Sequence, residues 1–331
     1  MKKLTRREFL NTSGMAVTGM VVGGHAFKAS AASGVVKVND IDQIPVRSRE
    51  EWEKHQARKT KLNGPITATG KIKDLTVSRL IMGGNQLGGW LHGRDLRYLG
   101  DLAKAYLSDN KMMEIFQMCE NCGINTVQGN NVILPILNKY WGRGIGKIQY
   151  ISDCGGQSFA DAAKAAIDGG ACAGYCQGEN ADRWVEAGEF NKIEEGLNVL
   201  RNAGLPAGIG AHHIETLKKC AEYGFKPDFW YKTMHHQNYW SYMADKTFND
   251  NRYCEDAEEA AAWFETRKEP VVAFKVLAAG AIPPEEGIRF GLEKGGDFVC
   301  LGMFDFNMIE DVNIFNEVLG DLKNRKRPWC A

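Results

Sequence analysis

Four of the seven histidines fall in two pairs, His212-His213 and His235-His236, and each pair closes an apolar run. The second pair lies in DFWYKTMHHQNYW, residues 228–240, where the run ending at Met234 breaks into His235, His236, Gln237 and Asn238. Imidazoles change charge near neutral pH, exchange protons and ligate metals. If both runs are parallel strands of one closed sheet, their ends meet on one rim and the two pairs become neighbours in space.

Other apolar runs end in polar groups as well: Asn85 and Gln86, Gln128 and Asn130, Asp153, Gln177 and Glu179, Lys275, and Asp305. Imidazoles and carboxylates drawn from different strands can make the open three-ligand site of a divalent metal. The ligands expected are Glu179, His212 and His235, with Asp153 as fourth ligand or general base. The alternative is that these groups hydrogen-bond a polar substrate without metal, since no H-x-H or H-E-x-x-H spacing occurs. Strand alternation turns His236 away from His235, and it joins Asp153 and Lys275 as the expected acid–base set. Lys275 either points inward, where desolvation favours a neutral amine, or snorkels outward. Gln128, Asn130, Gln177, Gln237 and Trp240 are the expected substrate contacts. Trp90, Trp184, Tyr239, Trp240 and Tyr242 suit stacking on a sugar ring or packing of the loops.

Eight strand-like runs position these groups, at 80–83, 126–128, 148–153, 171–176, 207–211, 229–234, 271–276 and 298–301. Helical patterns alternate with them at 111–121, 131–141, 158–167, 190–202, 214–223, 257–268, 285–293 and 308–322. Glycines such as Gly123, Gly204 and Gly224 stop the helices before the next strand. Eight such units are the signature of an α/β chain folded as a (β/α)8 TIM barrel. A short hairpin, 66–69 with 71–76 about Gly70, precedes them, and no G-x-G-x-x-G opens a helix after the first strand.

Several stretches resemble the aldo-keto reductase superfamily: the hairpin running into Leu75-Thr76-Val77-Ser78-Arg79-Leu80-Ile81-Met82-Gly83-Gly84, then Cys122-Gly123-Ile124-Asn125-Thr126, Ala273-Phe274-Lys275-Val276-Leu277-Ala278-Ala279-Gly280, and Leu301-Gly302-Met303. The resemblance implies the same barrel, and it implies NAD(P) phosphate contacts near Gly280 and Gly302. It does not extend to the catalytic tetrad. Where reductases carry aspartate and tyrosine after the second strand, this chain has Val127-Gln128-Gly129-Asn130-Asn131. The third strand ends Ser152-Asp153-Cys154 in place of a lysine, and the fourth ends Cys176-Gln177-Gly178-Glu179 in place of a histidine. Without the tyrosine that protonates the carbonyl and the lysine that lowers its pKa, the ordinary reductase chemistry has no residues at those positions.

The 331 residues are 44% hydrophobic and 25% charged with no net charge, which excludes a basic nucleic-acid face and a disordered chain. Residues 1–31 read as a twin-arginine signal peptide. Lys2, Lys3, Arg6 and Arg7 precede a weakly apolar, glycine-rich stretch, and Ala29-Ser30-Ala31 is a small-x-small cleavage pattern. That implies recognition by the twin-arginine translocase, a periplasmic or otherwise exported protein, and no stable membrane anchor. Residues 32–65 read as a linker or N-terminal arm and 66–331 as the barrel domain. An odd set of nine cysteines, with one C-x-x-C at Cys119 and Cys122, reads mainly as small core residues. Three functions remain open: an enzyme using metal-assisted or acid/base chemistry on a small polar compound, plausibly a sugar; a nicotinamide-dependent oxidoreductase with a rewired proton donor; and a non-catalytic carbohydrate-binding barrel.

Overall fold

A computed structural model describes residues 49–93, 96, 98–239, 241–242 and 253–331. The signal peptide expected at 1–31 and the contact expected at Trp240 lie outside the described residues. Within the segment read as a linker, helix α1 (Arg49–Thr60) forms. The hairpin pairs β1 (Thr69–Ile72) with β2 (Leu75–Ser78). It turns at Lys73-Asp74, with Lys73 at φ 52°, and Gly70 lies within a strand. Gly70 is needed there for closeness instead, because a Cβ would stand 2.8 Å from the Ala331 side chain and 2.9 Å from the Phe298 ring.

The barrel strands are β3 (Leu80–Gly83), β4 (Thr126–Gly129), β5 (Gln149–Ser152), β6 (Ala173–Cys176), β7 (Ala207–Ala211), β8 (Phe229–Thr233), β9 (Val271–Phe274) and β10 (Phe298–Gly302). They are parallel and close in sequence order, with β10 against β3. The chain is therefore the α/β (β/α)8 TIM barrel that the alternating pattern predicts. Seven helices alternate near the expected places: α3 (Asp109–Asn121), α4 (Leu134–Gly142), α5 (Phe159–Asp168), α7 (Phe190–Asn202), α8 (Ile214–Tyr223), α9 (Ala257–Phe264) and α10 (Pro284–Glu293), with α11 (Asp305–Gly320) last. Two more, α2 (Leu99–Tyr106) and α6 (Gly178–Glu186), sit in the segments after β3 and β6 that sequence patterning read as loops.

Alternation along the strands separates two apolar layers. Ile81, Ile151, Tyr175, Phe229, Tyr231 and Phe298 fill the barrel, with Ile72 and Val77 of the hairpin plugging one end. Tyr175 and Tyr231 stack with centroids 4.3 Å apart. Strand β7 makes room for these rings, because a Cβ on Gly208 would lie 2.6 Å from the Phe229 ring and one on Gly210 3.0 Å from that of Tyr175. The larger core lies between strands and helices.

Opposite the strand ends, fully buried Asp297 gathers the C-terminal segment. Its carboxylate accepts from Arg325 Nη2 at 3.0 Å, Arg327 Nη1 at 2.5 Å, and the Val271 and Cys330 amides at 2.9 Å each. Arg79 and Arg325 both lie 3.9 Å from the Trp329 ring centre. Removing one member of a buried ion cluster leaves the others uncompensated. Asp297→Asn is therefore expected to lower unfolding free energy by about 3–5 kcal/mol in urea titrations, and a loss below about 1 kcal/mol would remove this floor from the account.

Candidate functional site at the barrel mouth

His212 follows the last residue of β7 and is held from α6. Its backbone N–H donates to Asp182 Oδ2 at 3.0 Å, and its ring Nδ1 lies 2.9 Å from the same oxygen. Thr216 Oγ1 donates to Asp182 Oδ1 at 2.7 Å. An ionised carboxylate only accepts, so Nδ1 carries the proton and Nε2 keeps its lone pair. Burial would raise the Asp182 pKa, but His212, Thr216 and the backbone donor hold it below the ordinary carboxylate value. Burial, with Lys275 and Lys232 nearby, keeps the imidazole from protonating until below its usual 6.5, although Asp182 pulls the other way. Nε2 makes no hydrogen bond among the described residues. The ring faces Phe274 and Tyr253, with centroids 5.9 and 6.5 Å away.

Tyr253 joins the site from the long segment after β8. Its hydroxyl lies 2.7 Å from Nδ1 of His92, which comes from the segment after β3. Lys275 Nζ stands 3.6 Å from the Tyr253 ring centre, a close cation–π contact. Tyr253 is seated through its backbone: its N–H donates to His235 Nε2 at 3.1 Å, and its carbonyl accepts from Thr233 Oγ1 at 3.0 Å. Four residues in the segments after β5 and β9 carry positive φ without being glycine, Cys154 at 45°, Lys275 at 55°, Ala278 at 45° and Ala279 at 55°. Such backbone costs on the order of 1 kcal/mol or more and gathers at working sites.

Asp153 follows β5 and is almost fully buried at 8% exposure. Its Oδ1 accepts from the Gly155 amide at 2.8 Å and from Asn130 Nδ2 at 3.1 Å. Burial outweighs those two donors and lifts its pKa to about 6, so the carboxyl exchanges its proton in the physiological range. Gln128 points into the barrel, where its Oε1 meets the Tyr231 hydroxyl at 3.3 Å and Cys300 Sγ at 3.5 Å.

The structure thus brings His212, Lys275, Asp153, Asn130 and Gln128 to one end of the barrel, and it puts the remaining expected residues to other uses. His235 is fully buried with both ring nitrogens engaged, Nδ1 on the His236 carbonyl at 2.8 Å and Nε2 on the Tyr253 amide. Glu179 is exposed on the first turn of α6. The expected triad Glu179, His212 and His235 does not assemble, and among the described residues no three His, Cys, Asp or Glu side chains converge to hold a metal ion. His236 turns outward, 3.0 Å from Glu286 Oε1 and 5.4 Å from the Phe290 ring, while its Nδ1 accepts the Asn238 amide. Gln177 caps α6 by accepting the Asn180 amide, Gln237 is exposed, and Trp184 is packed in the core. The nine cysteines carry no disulfide.

The two positions expected to meet nicotinamide phosphates fit poorly. Helix N-termini attract phosphates, but α10 opens with Glu285 and Glu286 and α11 with Asp305, side chains that compete for the same positive end. Asp305 is already bonded by the Tyr106 hydroxyl at 2.7 Å and Lys111 Nζ at 3.1 Å. Gly280 lies exposed at φ 83°, and a Cβ on Gly302 would meet Gln86 Oε1 at 2.9 Å.

Asp182, Tyr253, His92, Lys232 and Asp256 were not among the residues expected from sequence. Helical periodicity offered one signal: in α6 the buried residues Asn180, Ala181, Trp184 and Val185 define an inner face that Glu179 leaves and Asp182 borders. A cavity of about 480 Å³ opens elsewhere, beside Trp141, Gln149, Asp168 and Cys172, and holds none of these groups.

His235 can accept the Tyr253 amide only while neutral, and burial first, then Lys232, His236 and Lys275, lower its pKa from 6.5 to about 4. Its contribution to stability is complete above pH 6.5 and is lost as pH falls from 6.5 towards 4. Asp153 and Asp311, with pKa values raised to about 6 and about 7, act in the opposite sense, so the informative quantity is a difference between proteins. Between pH 7 and 5 the wild type is expected to lose about 2 kcal/mol relative to His235→Gln in urea unfolding. Parallel pH profiles for the two proteins would contradict a neutral His235.

No protein-family model matches the chain, and no curated sequence matches it. Among solved structures, a candidate aldo-keto reductase from Pseudomonas aeruginosa superposes with a TM-score of 0.56 at 14% identity, covering 79% of this chain and 99% of that one. A truncated 3-deoxy-D-arabino-heptulosonate 7-phosphate synthase from Thermotoga maritima reaches 0.48 at 11% identity over 77% and 92% of the two chains. A glycerol dehydrogenase from Gluconobacter oxydans reaches 0.47 at 10% over 77% and 93%. What the chain shares with the first of these is its fold, a closed (β/α)8 barrel like that of the aldo-keto reductase.

Proposed function

We propose that the chain is a barrel enzyme that transfers protons to and from a small polar substrate at the mouth, with His212 as the exchanging group. The observation that carries this reading is the His212–Asp182 pair, in which one ring nitrogen is fixed by a carboxylate and the other keeps an unused lone pair. A general base needs that tautomer and a pKa near the working pH. Asp182 holds the ring and favours the imidazolium when it forms. Asp153, which keeps its proton to about pH 6, supports a complementary acid two strands away on the same rim. Tyr253, held by His92, and Lys275 supply a hydroxyl and a positive charge where negative charge on the substrate would develop. A sugar-sized compound suits the polar throat and the aromatic rim, where Trp90 is 57% exposed and Tyr239 packs edge-on to Tyr242.

Proton transfer at carbon leaves a mark in heavy water. Incubating the protein with a panel of small hydroxy-aldehydes, ketoses and hydroxy-acids in D2O should incorporate deuterium into one class, followed by NMR. His212→Gln should slow that exchange by about 10²–10⁴-fold, and Asp182→Asn by a smaller factor. Binding without exchange would make the barrel a carbohydrate binder, and exchange that survives His212→Gln would place the chemistry on other residues.

The paired arginines near the N-terminus support an exported protein. Arg6→Lys with Arg7→Lys should leave the protein in the cytoplasmic fraction of a host with a twin-arginine translocase, and unchanged fractionation would contradict export by that route.

A further inference from the structure

Lys232 is outside the mouth and has no exposure to solvent. It shares the outer side of β8 with Trp230, whereas Phe229 and Tyr231 fill the barrel. Its ammonium donates to the His212 carbonyl at 2.6 Å, to the Thr233 carbonyl at 3.0 Å and hydroxyl at 3.1 Å, and to Asp256 Oδ1 at 2.8 Å. Cys254 Sγ lies 3.7 Å away. Asp256 passes the link onward, because its other oxygen accepts the Ile214 amide at 2.6 Å, the first residue of α8. Thr233 Oγ1 lies 2.9 Å from the His212 carbonyl that Lys232 also holds and 3.0 Å from the Tyr253 carbonyl, so its one hydroxyl proton is shared between the two segments. Three segments distant in sequence therefore converge on one buried charge: the end of β7, the end of β8, and residues 253–256.

We propose that Lys232 is the positioning residue of the mouth: its ammonium clamps the His212 backbone to the 253–256 segment and so sets His212 and Tyr253 against each other. A buried ammonium cannot trade protein partners for water, so it holds its oxygens in place more strictly than an exposed lysine does. Any effect of Lys232 on turnover rests on the reading of His212 as the exchanging group, whereas its effect on geometry does not. Around His212 the charged groups are Asp182, Lys275 and Lys232, so removing the last should also raise the imidazole midpoint.

The test uses the full chain and needs no substrate. Lys232→Met removes the charge at similar volume, and Thr233→Val removes the parallel hydroxyl while leaving the Lys232–Asp256 pair. In each folded variant, iodoacetamide labelling of the nine cysteines is followed by mass spectrometry, and His212 is titrated by NMR. Lys232→Met should label Cys254, now 1% exposed, roughly tenfold faster than wild type or more, with the His212 midpoint raised and the other six buried cysteines still protected. Thr233→Val should move Cys254 the same way by a smaller factor, and if Lys232→Met does not fold, Asp256→Asn, which takes the carboxylate away from the ammonium, decides by the same readout. Cys254 as protected as in wild type would overturn the proposal. So would all seven buried cysteines opening together, which would mark Lys232 as a general stabiliser. If the D2O exchange fails while Cys254 and His212 respond as stated, the clamp stands and the catalytic reading falls; the converse result removes the clamp alone.

Discussion

A lysine ammonium with no access to water has to find its oxygens inside the protein, and Lys232 finds them on three separate segments. Each alternative is costly. Leaving the charge unpaired costs several kcal/mol, and neutralising it abandons Asp256, which accepts the first amide of α8. The ends of β7 and β8 and the 253–256 segment are therefore assembled together, and His212 and Tyr253 take their places as a consequence. His235 completes the seat as a neutral acceptor for the Tyr253 amide.

The two ends of the barrel divide the labour of stability and chemistry. At one end Asp297, the arginines around it, Trp329 and the hairpin close the barrel with ion pairs, stacking and apolar contact. At the other, partly buried titratable groups stand at the ends of β5, β7 and β9, and the backbone at Cys154 and Lys275 is held in a conformation that ordinary residues avoid. The strands below are packed through the Tyr175–Tyr231 stack and the glycine-lined inner side of β7.

The barrel was legible because its signals are local. Apolar runs and helical periods recur eight times, with glycine stops after most of the helices, and strand ends follow from them directly. Helix α6 was missed because its apolar positions are few between Gln177 and Gly188, and with it went Asp182. His235 was assigned to a metal because a histidine at a strand end looks alike whether its nitrogens face a ligand or a backbone amide; only the position of Tyr253, many residues later, separates the two. Lys232 inside Phe229-Trp230-Tyr231-Lys232-Thr233 read as a strand residue, since nothing local announces that Asp256 will pair with it. The places of His212, Asp153, Lys275 and Gln128 at the ends of β7, β5, β9 and β4 were legible because they require only the strand boundaries.

The central claim is that His212 is an oriented, neutral imidazole with its Nε2 lone pair available. Nitrogen-15 NMR of the histidine rings, with His212 assigned by its loss in His212→Gln, reads this directly. The Nδ1–H tautomer at pH 7, with a midpoint below 6.5, is the predicted result. An Nε2–H tautomer, or an imidazolium persisting at pH 7, would contradict it.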